Sequence, residues 1–255
     1  MSGLMTQTPR RLSASGQAVQ IPQFLMNAVQ NVLSKAWHIL QEDVRQGHFS
    51  VCNSTEDQIT ERLYMILGEL DAAGDNAVQG LADLQSPVRE GNIRNFNGQH
   101  LDKQPDLAFR PIRGLISMGN TVPTAIFIEC KPIDGRHPVA STYCSEGLIR
   151  FVNGDYAWGV DRAMMVGYVR NVCALPGGLS TALDNPKLSS RMQLLDQLKE
   201  LPRTASEDAV CQSTHIRTFI IPGRASPAGH IAVNHLWLHP SEPCEHTRCH
   251  DVSAS

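Results

Sequence analysis

The chain has 255 residues, a formal net charge of −3, 42% hydrophobic residues and 18% charged residues. That suffices for one sizeable α/β domain or two small ones of ordinary soluble composition. The charge excludes a global attraction to nucleic acid, so a phosphate-binding surface has to be a local patch, and no apolar run reaches the roughly 18–20 residues that span a bilayer.

The opening stretch MSGLMTQTPRRLSASGQ lacks the apolar centre of a secretory signal. Residues 1–20 are expected as a disordered tail, and the protein as cytoplasmic without membrane contact. Seven cysteines, an odd number in a chain without an export signal, predict reduced thiols. In residues 21–46, Leu25, Val29, Val32, Leu33, Trp37, Leu40 and Val44 recur at helical spacing and predict one long amphipathic helix. GHFSVCNS breaks it. A second helix follows in STEDQITERLYMILGELDAAG, with Thr55 and Gln58 in capping-box relation and Gly74 as the stop.

Three strands are expected next: residues 88–95 before the Asn-Gly turn of NFNGQH, then QPDLAFRP, then TAIFIECKPIDG. HPVASTYCSEGLIRFV predicts a helix and DRAMMVGYVRNV a further strand. LPGGLSTALDNP is expected as a loop, KLSSRMQLLDQLKEL as an amphipathic helix, and THIRTFIIPG with GHIAVNHLWLHP as a β-hairpin. The order describes an α/β fold: a mixed central sheet flanked by helices, one domain over residues 21–240 with its core at about 50–170. Residues 241–255 form a Cys/His-containing tail. There, Cys244, His246, Cys249 and His250 are Zn²⁺-capable residue types, but their C-x-H-x-x-C-H spacing matches no standard finger, and an ordinary polar tail is expected.

Chemistry-bearing residues gather around the third strand. Successive side chains in a strand point to opposite faces, so Glu129 and Lys131 share one face and Ile128 and Cys130 the other. Asp106 lies in the preceding strand, with 22 residues between it and Glu129, close enough for a hairpin to bring both carboxylates together. Two such acids repel unless a cation lies between them, and Mg²⁺ takes oxygen ligands. On the second helix Glu56 lies near the centre of the apolar face and Glu61 almost opposite, so Glu56 is the third acid. Arg110, Arg113, Arg136 and Arg150 flank the group, with His137 and Tyr143 on the following loop and helix. Arg110, Arg136, Arg150, His137 and Tyr143 are expected as weak substrate contacts.

Pro105-Asp106 followed by Glu129-Cys130-Lys131, in an αβββαβ order, resembles the PD-(D/E)XK nuclease superfamily and its restriction-endonuclease-like core. The resemblance implies catalysis by Asp106, Glu129, Lys131 and Glu56. Asp106, Glu129 and Glu56 would hold Mg²⁺, which Mn²⁺ can replace, and Lys131 would position the attacking water. It further implies a hydrolase acting on phosphodiester bonds in DNA, with RNA not excluded, in restriction, repair or antiviral defence. A homodimer and an activating partner or signal fit that reading. The alternative is a nucleic-acid-binding or assembly protein on the same fold without turnover.

Overall fold

The computed structural model describes residues 18–74, 76–116, 124–206, 208–241 and 243–244. Most of the expected N-terminal tail, and His246, Cys249 and His250 of the C-terminal one, lie outside them. Helix α1 (Gln23–Arg45) buries Leu25, Val29, Val32, Leu33, Trp37 and Leu40, the stripe its periodicity demands. Trp37 stacks on Tyr168 at 5.9 Å, and its Nε1–H donates to the His239 carbonyl at 2.7 Å. Helix α2 (Glu56–Ala73) opens with both halves of the Thr55/Gln58 capping box and stops at Gly74, where φ is +98°.

Strands β1 (Val88–Arg89), β2 (Leu107–Phe109) and β3 (Ile126–Ile133) form an antiparallel meander. A helix with wide π-type turns (Val139–Leu148) follows and continues as α3 (Ile149–Asn153). It crosses to β4 (Arg162–Val169), which pairs parallel to β3 with Glu129 opposite Met165. After α4 (Gly177–Leu183) and α5 (Pro186–Arg191) come β5 (Lys199–Glu200), β6 (Val210–Arg217) and β7 (Gly229–Leu238). The seven strands make one mixed open sheet in the order β1-β2-β3-β4-β7-β6-β5. Thr60 of α2 meets Tyr168 on one face of the sheet, while Tyr143 of the π-type helix meets Trp237 on the other. No helix among the described residues is long and apolar enough to cross a membrane.

Several expectations are corrected. The strand expected over 88–95 shrinks to Val88–Arg89, and α4 forms inside the stretch expected as a loop. The helix expected over 187–201 ends at Arg191. Beyond it Gln193 takes a φ of +50°, Leu195 N–H donates to the Thr214 carbonyl, and Gln193 accepts from Ile216. The sheet edge thus takes the backbone groups a helix would have used, overriding the local pattern. Nor are the thiols uniformly reduced. Cys52 and Cys244 are joined as a disulfide and Cys173 is disulfide-bonded too, whereas Cys130, Cys144 and Cys211 are free.

A chain of buried polar groups links the π-type helix to β6 and β7. His215 Nδ1 lies 2.8 Å from the Met192 carbonyl, which can only accept, so that nitrogen carries the proton. His215 Nε2 then accepts from Ser213 Oγ at 2.6 Å, Ser213 accepts from His235 Nε2 at 2.7 Å, and His235 Nδ1 accepts from the Tyr143 hydroxyl at 3.0 Å. Burial lowers His215 to about 4 and His235 to about 3, so both rings are neutral at pH 7. The stability they confer is present above pH ~6.5 and is lost as pH falls towards those values. Ser213→Ala leaves an acceptor and a donor of this chain unpaired. It is expected to lower the unfolding free energy by about 1–3 kcal/mol in urea titrations; a change under about 0.5 kcal/mol would contradict the wiring.

Candidate active site

The site forms where β3 runs alongside the start of α2. Within β3, strand alternation sends Glu129 and Lys131 towards the π-type helix, and a Cβ built on Gly147 would lie 3.1 Å from Lys131 Cγ and 3.5 Å from Glu129 Cγ. A side chain there would crowd the Lys131 stem and meet Met165 Cε at 2.7 Å, so glycine suits this close passage. Glu56 is the first residue of α2, placed there by the Thr55 cap. Its Oε1 lies 2.5 Å from Lys131 Nζ, which also donates to the Cys130 carbonyl at 2.8 Å. Asp106 immediately precedes β2, and its Oδ2 accepts the Cys130 N–H at 2.6 Å, fixing the carboxylate against β3. Glu61, the acid set aside from the helical wheel, instead pairs with Arg89 at the surface.

Glu129 is the buried centre. Its Oε1 lies 2.9 Å from Arg150 Nη1 and 3.0 Å from Lys131 Nζ. Neither approach has hydrogen-bond geometry, so this oxygen is a buried acceptor without a donor. The other oxygen accepts a hydrogen bond from the buried Tyr156 hydroxyl. Burial and repulsion from Asp106 raise Glu129 to about 7, against the pull of Lys131, Arg150 and Tyr156. Burial also raises Asp106 and Glu56, with Lys131 opposing it in each case. For Lys131 burial works downwards, but Glu129, Asp106 and Glu56 outweigh it and raise the amine above its ordinary value. Lys131 therefore keeps its proton at any pH the fold meets.

A cavity of about 690 Å³ opens onto this group, lined among others by Glu56, Lys131, Arg136, His137, Arg150 and Arg170. The structure thus gathers Glu56, Asp106, Glu129, Lys131 and Arg150, with Arg136 and His137 on the same cavity. It leaves out Arg110, exposed at the end of β2, and Tyr143, which points into the core towards His235. Tyr156, Gly147 and Arg170 join the site without having been singled out. Tyr156 sits in an aperiodic loop, and Gly147 and Arg170 matter only through neighbours brought close by the crossover.

Among the described residues, no group of three or more His, Cys, Asp or Glu side chains is arranged to hold a metal ion. Asp106 and Glu129 nevertheless supply two repelling carboxylates and an unsatisfied buried oxygen. Mg²⁺ characteristically binds through one or two carboxylates and completes its shell with water and phosphate oxygens, so the donor chemistry fits such an ion. Comparison with protein-family models, curated proteins and solved structures gives no match to this chain.

Because the Tyr156 hydroxyl opposes the rise at Glu129, Tyr156→Phe is expected to move the Glu129 titration, followed by carboxyl NMR, above pH 7. An unchanged or lower midpoint would contradict the assigned bond.

Proposed function

We propose that this protein is a divalent-metal-dependent nuclease that hydrolyses phosphodiester bonds, with DNA as its substrate. The observation that carries the reading is the meeting of Lys131 with Glu56 and Glu129, while Asp106 is bonded to the backbone between them. These residues come from α2, the start of β2, and β3, in the chain order the PD-(D/E)XK resemblance requires. The β1-β2-β3 meander and the parallel β3–β4 pair joined by a helix are further support.

Asp106 and Glu129 would hold the Mg²⁺ ion, with Glu56 as the assisting acid. Such an ion, when bound, supplies Lewis acidity and a water of lowered pKa. Lys131 stays protonated, so its part is to orient the attacking water and to stabilise charge developing on the phosphate, as a donor and not as a base. Glu56 lines the cavity, and its raised pKa suits it to take the proton of that water. Arg150, partly exposed beside Glu129, is placed to meet a phosphate oxygen. In-line attack would form the new O–P bond and break the bond to the 3′ oxygen, leaving 5′-phosphate and 3′-hydroxyl ends.

A second reading, a nucleic-acid-binding protein on this fold without turnover, draws on the absence of a three-ligand group among the described residues. Incubation of supercoiled plasmid and single-stranded DNA with Mg²⁺, Mn²⁺ or EDTA separates the two. Metal-dependent cleavage is expected, falling at least about 100-fold in Lys131→Ala, the order of loss for an electrostatic donor, and at least as far in Asp106→Ala. Cleavage that survives both substitutions would contradict the site, and binding without cleavage by the folded wild type would favour the second reading.

A further inference from the structure

The same cavity carries a second group of cationic side chains, built on the turn that follows β3. Asp134 Oδ1 accepts the backbone N–H groups of Arg136 and His137, each at 2.9 Å, and lies 2.7 Å from His137 Nδ1. Its Oδ2 lies 3.3 Å from Arg170 Nη1. Arg170 Nη2 donates to the Ser54 carbonyl, one residue ahead of the Thr55 cap of α2. Arg170, at the end of β4, thus ties the Asp134 turn to the helix start that bears Glu56. Burial acts to raise the Asp134 carboxyl, but the His137 ring and the turn N–H groups outweigh it and hold it below its ordinary value.

Two guanidinium groups and one imidazole line the cavity on this side. The exposed Arg136 guanidinium pairs with no carboxylate among the described residues. His137 donates its Nδ1–H to Asp134, so its Nε2 donates to a phosphate oxygen when the ring is doubly protonated. Arg170 is buried, and its Nε has no hydrogen-bond partner. Glu146, exposed on the π-type helix, is the acid that lines the same cavity besides Glu56. The Lys131 and Arg150 charges are already balanced by Glu56 and Glu129, so a second anion would be met by the Asp134 turn.

We propose that Arg136 and His137 clamp a backbone phosphate neighbouring the one cleaved, with Asp134 and Arg170 as positioning residues, so that the ligand is a polynucleotide and not a small phosphate ester. This rests on the nuclease reading for which phosphate is cleaved, but the clamp itself is read out by binding. The test is fluorescence anisotropy of a labelled single-stranded oligodeoxynucleotide in EDTA, over a range of salt concentrations. Arg136→Ala and His137→Ala are each expected to weaken binding several-fold, and loss of a phosphate contact to flatten the slope of log K against log salt by about 0.7. Lys199→Ala, on β5 at the opposite edge of the sheet, serves as the charge control and is expected to bind as wild type. Asp134→Asn is expected to weaken binding through His137, so it should cost little further in a His137→Ala background; full additivity would remove its positioning role. Wild-type affinity and slope in Arg136→Ala would overturn the clamp, whatever the turnover. Binding that depends on Arg136, in a protein that cleaves nothing with Mg²⁺, would keep the clamp and remove the nuclease reading.

Discussion

The site depends on one buried carboxylate. Glu129 lies in the centre of the sheet, next to a second acid and out of reach of solvent. A buried charge is tolerated only where opposite charge and hydrogen bonds compensate its lost hydration. Lys131, Arg150 and Tyr156 supply that compensation from three elements: the same strand, the crossover helix and the loop beyond it. The compensation stops short of completion, because Oε1 has charges beside it and no hydrogen-bond donor. On the proposed function, a cation held here would relieve the repulsion between Asp106 and Glu129.

The rest of the architecture serves that balance. The Thr55 capping box sets where α2 begins and so where Glu56 meets Lys131. Gly147 lets the π-type helix lie against the stems of Glu129 and Lys131, and that same helix leads to Arg150. Wide helical turns are found often at functional sites, where they re-aim side chains a regular helix would place elsewhere. Arg170 joins the cavity's two sides, and the Cys52–Cys244 disulfide anchors the loop just before α2 to the segment after β7.

Much of this was legible where local periodicity decides it. Period-two alternation put Glu129 and Lys131 on one face, and period 3.6 separated Glu56 from Glu61. The long α1 and strand β7 followed from pattern, whereas the first strand of the hairpin, expected over 214–223, runs over Val210–Arg217. Legibility ended where partners are distant in the chain. Nothing in NGDYAW marks Tyr156 as a partner for Glu129, and no spacing rule pairs Cys52 with Cys244 across 192 residues. The stretch after Arg191 has helical periodicity, yet bonds to the edge of β6 take its backbone groups. Tyr143 and Arg110, chosen for their closeness to the motif, diverge because one faces the sheet and the other solvent.

The most direct test of the account is calorimetric titration of Mn²⁺ into the metal-free protein near pH 7, in two buffers of different ionisation enthalpy. Glu129 titrates at about 7, so a cation held by Asp106 and Glu129 must displace a fraction of a proton, and its affinity must fall as pH is lowered through that value. The account predicts binding with proton release that is lost in Asp106→Asn. No binding by the folded wild type, or undiminished binding without proton release in Asp106→Asn, would contradict it.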